Sequence, residues 1–191
     1  MAKQTQKFIM STFMQLLENE SLDKITVRDI VEECEINRNT FYYHYSDIYD
    51  LLDDVFRVET EKFLEQDVDD NTTFGEEYAR AAQFVLKYRK AILHIYDSKK
   101  RDVLENYLET LAFSFINRFV KKESEGYALS DDDVDYITGF YTHAIVGNTI
   151  EWIKRKFPSG QEKFIERTAG TFNATVKDMI EQCVKENKAM K

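Results

Sequence analysis

Residues 36–46 read Ile-Asn-Arg-Asn-Thr-Phe-Tyr-Tyr-His-Tyr-Ser and hold no carboxylate, although the first 50 residues carry nine acids against five bases. DNA presents a charge every ~1.7 Å along its axis, so a face that docks on it sheds carboxylates even where the rest of the chain keeps them. The side chains in this run suit such a surface. Arg38 can bridge guanine O6 and N7, Asn39 can pair with adenine N6 and N7, and the Thr40 methyl can touch thymine. Tyr42, Tyr43 and His44 offer hydroxyl and ring N–H donors to phosphates, contacts that position a helix without reading sequence. Core packing accounts for Phe41 and Tyr45. It does not account for the polar run Asn37–Thr40, and a helix of six or seven residues cannot bury Tyr42, Tyr43 and Tyr45 on one face.

The flanking pattern supplies the elements that would hold this run in place. Phe8, Ile9, Thr12, Phe13, Leu16 and Leu17 form a helical stripe, broken by a short loop at residues 21–24. Thr26 with Asp29 three positions on is a capping pair, and the helix it starts reaches no further than about Cys34. Asn37 is a good N-cap for a second short helix from Arg38 to about Tyr43. Two short helices joined by a tight turn read as a helix-turn-helix. Ser46 or Asp47 then caps a long amphipathic helix carrying Leu51, Leu52, Val55, Phe56 and Phe63.

Residues 66–73 form an acidic, polar linker, after which Thr73 and Glu76 repeat the capping signature. Two helical blocks follow between Phe74 and Lys122, with a break near residues 97–100. Ser130 with Asp131, Asp132 and Asp133 is a strong helix start, because acids in the first turn complement the positive helix end. That helix must end before Pro158. Ser159, with Glu162 behind it, is expected to cap the last helix, over about 161–185. The fold class is all-α: an N-terminal helix-turn-helix region over residues 1–50, a linking helix over 47–65, and a second helical region over 66–191, to which the family resemblance given below assigns effector binding and dimerisation.

Composition narrows the function classes. The 191 residues hold 35 Asp+Glu against 26 Lys+Arg, a net charge of −9, with a pI near 5.0. That balance excludes a bulk polyanion binder while leaving room for a small local site. Six Gly and one Pro exclude collagen and most all-β folds. No apolar run approaches the ~18 residues of a membrane span. The opening MAKQTQKFIMSTF lacks the apolar block of a secretory signal, and Cys34 and Cys183 have no His or Cys neighbours. Reduced thiols in a cytoplasmic protein are expected. No Gly-rich phosphate loop, His-Glu zinc motif or nucleophile elbow is present, so no enzyme is expected. Nor is a cofactor or metal, since His94 and His143 stand apart from any ligand cluster.

The run Thr26-Val-Arg-Asp-Ile-Val-Glu-Glu-Cys-Glu-Ile-Asn-Arg-Asn-Thr-Phe-Tyr-Tyr-His-Tyr, followed by Ile48-Tyr-Asp-Leu-Leu, resembles the TetR family of bacterial transcriptional regulators. The likeness is strong over residues 5–60. The decapeptide from Ile36 and the later Gly-Asn-Thr-Ile-Glu-Trp-Ile look most like a DhaS-like subgroup. The resemblance implies a three-helix DNA-binding domain and a homodimer on a palindromic operator of double-stranded DNA. It gives Thr26 a phosphate contact and Arg28 a base contact, sends Asn37–Thr40 to bases or nearby phosphates, and sends Tyr42, Tyr43 and His44 to the backbone. Two positions depart from the family pattern. Glu35 occupies a turn position where Gly is common, implying strain or a different turn. Ile48 stands where a Lys usually clamps a phosphate, which should flatten the salt dependence by about one unit per half-site.

Beyond the linker the expectations concern assembly and a ligand. Gly139, His143 and Gly147 fall on one helical line, with Ile150 nearby, and Ile165, Ala169, Phe172 and Val176 form a matching stripe on the last helix. Two such helices from each subunit would make a four-helix dimer interface, the alternative being an intramolecular hairpin. For a small-molecule effector, the polar and aromatic residues to inspect are Tyr88, His94, Tyr96, Phe113, Tyr141, His143 and Asn148. The leading expectation is a ligand-responsive repressor acting as a homodimer. The competing one is a co-activator of the same fold that works through a partner protein and binds little DNA itself.

Overall fold

The computed structural model describes residues 2–65 and 71–189. The first five residues of the acidic linker, where the expected division at 66 falls, lie outside them. Among the described residues the chain forms nine α-helices and no strand. They are α1 (Ala2–Leu17), α2 (Val27–Glu33), α3 (Arg38–His44), α4 (Ile48–Leu64), α5 (Phe74–Lys87), α6 (Arg89–Tyr96), α7 (Arg101–Glu123), α8 (Asp131–Lys154) and α9 (Gln161–Ala189).

Side-chain caps set most of the starts. Thr26 and Asp29 form a reciprocal capping box at α2, Thr73 and Glu76 at α5, and Ser130 and Asp133 at α8. In each, the hydroxyl accepts the third N–H of the helix and the carboxylate returns to the cap N–H, satisfying two orphan donors at once. Asn37 caps α3, and Asp47 rather than Ser46 caps α4. The last start differs from expectation. Helix α9 begins at Gln161, so the residue ahead of it is Gly160, at φ 94°, and not Ser159.

Contacts sort the described residues into two compact units, one within Met1–Gln66 and Tyr88–Leu104, the other within Asp67–Lys87 and Glu105–Lys191. The first unit therefore contains α1–α4 together with α6 and the first turn of α7, a segment expected in the second region. Ile9, Phe13 and Leu17 of α1 are buried, whereas Phe8 of the same stripe is 51% exposed. Leu22, expected in a loop, sits in a 3-10 turn and is fully buried. Helix α6 is fastened to this unit by polar contacts as well as by Ile92 and Ile95. His94 donates through Nδ1 to the Leu17 carbonyl at 2.7 Å, the Lys99 N–H donates to the Asp23 carboxylate, and the Lys100 ammonium lies 5.1 Å from the Tyr49 ring centre.

The second unit packs α5, most of α7, α8 and α9 around an aromatic centre. Phe74 stacks on Phe172 with centroids 3.8 Å apart and meets Phe119 edge-on, while Tyr141 meets Phe172 edge-on at 4.8 Å. The carboxylate of Glu77, 1% exposed, takes hydrogen bonds from Arg80 and from Arg118 of α7, which satisfies a charge that burial would otherwise penalise. Helix α8 closes with the Lys156 N–H on the Ile153 carbonyl and the Phe157 N–H on the Trp152 carbonyl. Both residues have positive φ, and the Phe157 ring against Trp152 at 4.9 Å supplies the apolar contact typical of such a stop.

Candidate nucleic-acid interface

The turn between α2 and α3 is built by backbone geometry. The Glu35 N–H bonds the Glu32 carbonyl and the Ile36 N–H bonds the Val31 carbonyl, with Glu35 at φ 50°. This is a Schellman closure with a charged side chain in the left-handed position that glycine favours, as its departure from the family pattern implied. Asn37 then accepts the Asn39 N–H at 2.8 Å and launches α3 without an acid in its first turn.

Helical spacing divides the seven residues of α3 by face. Phe41 is fully buried, and Tyr45 just past the end is 3% exposed. Arg38, Asn39, Tyr42 and Tyr43 form the opposite, exposed face, with Tyr43 at 77%. Thr40 and His44 lie half-buried at its edges. The Arg38 guanidinium donates to the Tyr42 hydroxyl at 3.2 Å and lies 5.5 Å from that ring's centre, so the two side chains form one patch. Thr26 and Arg28 are also exposed, but each has a partner within α2. The Thr26 hydroxyl serves the capping box, which holds Asp29 below the usual carboxylate range, and the Arg28 guanidinium pairs with Glu32 at 2.6 Å. Asn37 likewise spends its side-chain oxygen on the cap, leaving only its amide N–H groups to reach outward.

A partly buried network behind α3 had no local signal in the sequence. Asp54 of α4 accepts from the Tyr45 hydroxyl at 2.9 Å, from Gln6 of α1 at 2.8 Å and from Arg57. Burial pushes the Asp54 carboxyl up, but hydrogen bonds from Arg57, Tyr45 and Gln6 outweigh it and leave the group below its ordinary range. Burial and the neighbouring Asp54 push the Tyr45 phenol well up, so it stays a donor. The network pins the C-terminal end of α3 to α1 and α4.

Two concavities among the described residues of the second unit bear on these expectations. A groove of about 560 Å³ runs between α8 and α9, lined by Phe140, Tyr141, Asn148, Arg167, Thr171 and Met179 among others. A narrower pocket of about 40 Å³ lies among α5, α7 and α8, with Tyr78, Ala82, Ala112, Phe115 and Trp152 in its wall. None of the seven residues expected at an effector site lines this pocket. Tyr88, His94 and Tyr96 belong to the first unit, where Tyr88 reaches Glu59 at 3.5 Å and Tyr96 lies beneath the Arg101 guanidinium. Phe113 and His143 are exposed, and Tyr141 and Asn148 line the α8–α9 groove.

Of the residues expected between subunits, Ala169, Phe172 and Val176 pack largely inside this chain. They are 7%, 2% and 2% exposed, and Phe172 also lines the α8–α9 groove. Gly139, Ile150 and Ile165 are half-buried, and His143 and Gly147 are exposed. A Cβ added at Gly139 or Gly147 would meet nothing within 4 Å, so packing inside the chain does not require either glycine.

Residues 9–55 match the family described as bacterial regulatory proteins, tetR family, and residues 72–174 match a transcriptional regulator C-terminal region. No curated protein matches the chain. Among solved structures it resembles the dihydroxyacetone kinase operon activator DhaS, at 22% identity and a TM-score of 0.72, over 91% of this chain and 96% of that one. A tetR-family transcriptional regulator from Streptomyces coelicolor aligns at 10% identity and a TM-score of 0.67, over 98% and 89%. A putative TetR-family regulator from Syntrophomonas wolfei aligns at 15% identity and 0.62, over 92% and 96%.

Proposed function

We propose that this chain, which belongs to the TetR family of bacterial transcriptional regulators, acts in the cytoplasm as a homodimeric, ligand-responsive repressor on a palindromic operator. The observation that carries the reading is the exposed, carboxylate-free patch of Arg38, Asn39, Tyr42 and Tyr43 on a helix anchored from behind by Phe41 and Tyr45. Such a patch reads base edges from the N-terminal end and holds phosphates with the tyrosines. Arg28 joins them by exchanging Glu32 for DNA. Two copies are needed because a palindrome offers two half-sites. The α8–α9 groove with Phe140, 54% exposed, at its edge is the apolar surface suited to that association. An effector in the second unit would stabilise a conformer with lower DNA affinity, a population shift that needs only a difference in binding between two states.

Fluorescence anisotropy with duplexes from the DNA flanking the coding region tests this. Saturable binding that weakens steeply between low and physiological salt is expected. Absence of any salt-sensitive binding to such duplexes at low salt sinks the reading.

A second reading is favoured by three observations: Glu35 in the turn, Ile48 where the family favours a phosphate-clamping Lys, and the activator named among the structural neighbours. In it the chain is a co-activator that reaches DNA through a partner protein. A hetero-complex that binds DNA when neither this chain nor its homodimer does would select it.

A further inference from the structure

The first unit draws much of its positive charge from outside the helix-turn-helix. Residues 1–66 hold seven Lys and Arg against fourteen Asp and Glu, and three of the seven, Arg28, Arg57 and Lys62, are paired with carboxylates of their own helices. Within α3 Arg38 is the one permanent cation, and the first turn of α4, Ile48-Tyr49-Asp50, has none. The segment that returns to this unit, residues 88–104, reverses the balance, with Arg89, Lys90, Lys99, Lys100 and Arg101 against Asp97 and Asp102. Two of these lysines sit beside the helices that precede and follow α3. The Lys99 N–H bonds both oxygens of Asp23 at 3.3 Å, in the turn just ahead of the α2 cap. The Lys100 ammonium lies 5.1 Å from the ring centre of Tyr49, the second residue of α4. Lys99 is exposed and Lys100 half-buried, and neither ammonium has an ion pair among the described residues.

We propose that Lys99 and Lys100 contact DNA phosphates beside the recognition helix, so that the segment returning from beyond α5 is itself part of the DNA-binding surface. The inference rests on the DNA-binding reading above and adds residues that hold the backbone. A helix seated in the major groove lies between two phosphate strands, so cations on the elements flanking it meet backbone rather than base edges. A lysine suits that task, as a point charge on a flexible stem that needs no fixed angle of approach. The carboxylates nearby are already engaged. Asp23 accepts the Lys99 N–H, Asp29 serves the capping box, Asp47 caps α4 and Asp50 accepts from Ser46. Burial pushes the Asp53 carboxyl of α4 up, with help from Asp50 and Asp47, and Lys100 only partly offsets the rise, so that carboxylate does not consume the ammonium. The unit thus meets a polyanion with two lysines that the helix-turn-helix does not encode.

The salt dependence of binding separates a phosphate contact from a structural role, because packing of Lys100 on Tyr49 changes stability but releases no counterions. Lys99→Gln and Lys100→Gln should each lower the slope of log K against log salt by about one per half-site, and the double variant by about two. The loss in affinity should be the same fold on a duplex from the flanking DNA and on an unrelated duplex of equal length, since phosphates carry no sequence. Lys100→Arg keeps the charge and should keep the slope. Lys90→Gln removes an exposed cation from the opposite end of α6, roughly 10 Å along the helix axis, and should leave the slope alone. Tyr49→Leu removes the ring but not the charge, so it should lower the melting temperature with the slope intact. An unchanged slope in the double variant overturns the proposal. So does an equal drop in Lys90→Gln, which would show an effect of diffuse net charge and not of contact. The DNA-binding reading fails separately. A wild-type chain without salt-sensitive binding to any duplex sinks both, whereas wild-type binding with an unchanged slope in the double variant sinks the lysine contacts alone.

Discussion

Glu35 sits in a backbone conformation that disfavours a side chain, because in the left-handed region Cβ crowds the following carbonyl by roughly 1–2 kcal/mol. Glycine removes that strain and gives back part of it through the greater freedom of the unfolded chain. Glu35→Gly should therefore raise stability by about 0.5–1 kcal/mol, seen as a higher denaturation midpoint with an unchanged slope. Arg38 belongs to the opposite case, an exposed side chain of little structural worth. Arg38→Ala should leave the melting temperature in place and weaken operator binding by about 1–3 kcal/mol per half-site in an anisotropy titration. The inward and outward residues of α3 were legible in the sequence, since a cap at Asn37 fixes the phase of a seven-residue helix. Their partners were less so. The family resemblance points Thr26, Arg28 and Asn37 toward DNA but does not show that hydrogen bonds inside the chain occupy them. The join of Tyr45 to Asp54 and Gln6 depends on how three helices cross.

Three of the helices open on a hydroxyl and a carboxylate three residues apart, and these starts were readable because the interaction is wholly local. Their bonds hold Asp29, Glu76 and Asp133 below their ordinary pKa values. A carboxyl depressed by folding adds stability above its unfolded pKa and loses it as pH falls through the folded value. Melting temperature should thus hold steady from neutrality down to about pH 4 and fall below it. Asp133→Asn should melt lower at neutral pH and show a shallower acid decline, and a wild-type slope in that variant would refute the assignment. The break at Tyr88 escaped notice for the complementary reason. No Pro, Gly or capping side chain marks it, so one apolar pattern runs across two helices. At α9 the expected cap fell one residue too early, because the helix begins at Gln161 directly after Gly160, whose φ is 94°.

At the scale of the molecule, an apolar stripe reveals a buried face without saying what buries it. The residues Ala169, Phe172 and Val176 of α9 turn toward the chain's own core, and Phe140 stands exposed at the α8–α9 groove. The two faces can be separated by mutation. Phe140→Asp should shift sedimentation from dimer to monomer with the thermal unfolding of the monomer near its starting point. Phe172→Ala should instead lower stability by about 3–5 kcal/mol, since it empties a stacked aromatic site. Residues 88–104 carry a different lesson. They return to the first unit from beyond α5, bringing His94 to the end of α1, Lys99 to Asp23 and Lys100 to Tyr49. The DNA-reading unit is thus discontinuous along the gene. A ribosome that has delivered α1 to α4 has not yet supplied the piece that covers them, and a chimera joined at residue 65 inherits a reading head with an open seam. Exchange of heads between such regulators must move two stretches of coding sequence together.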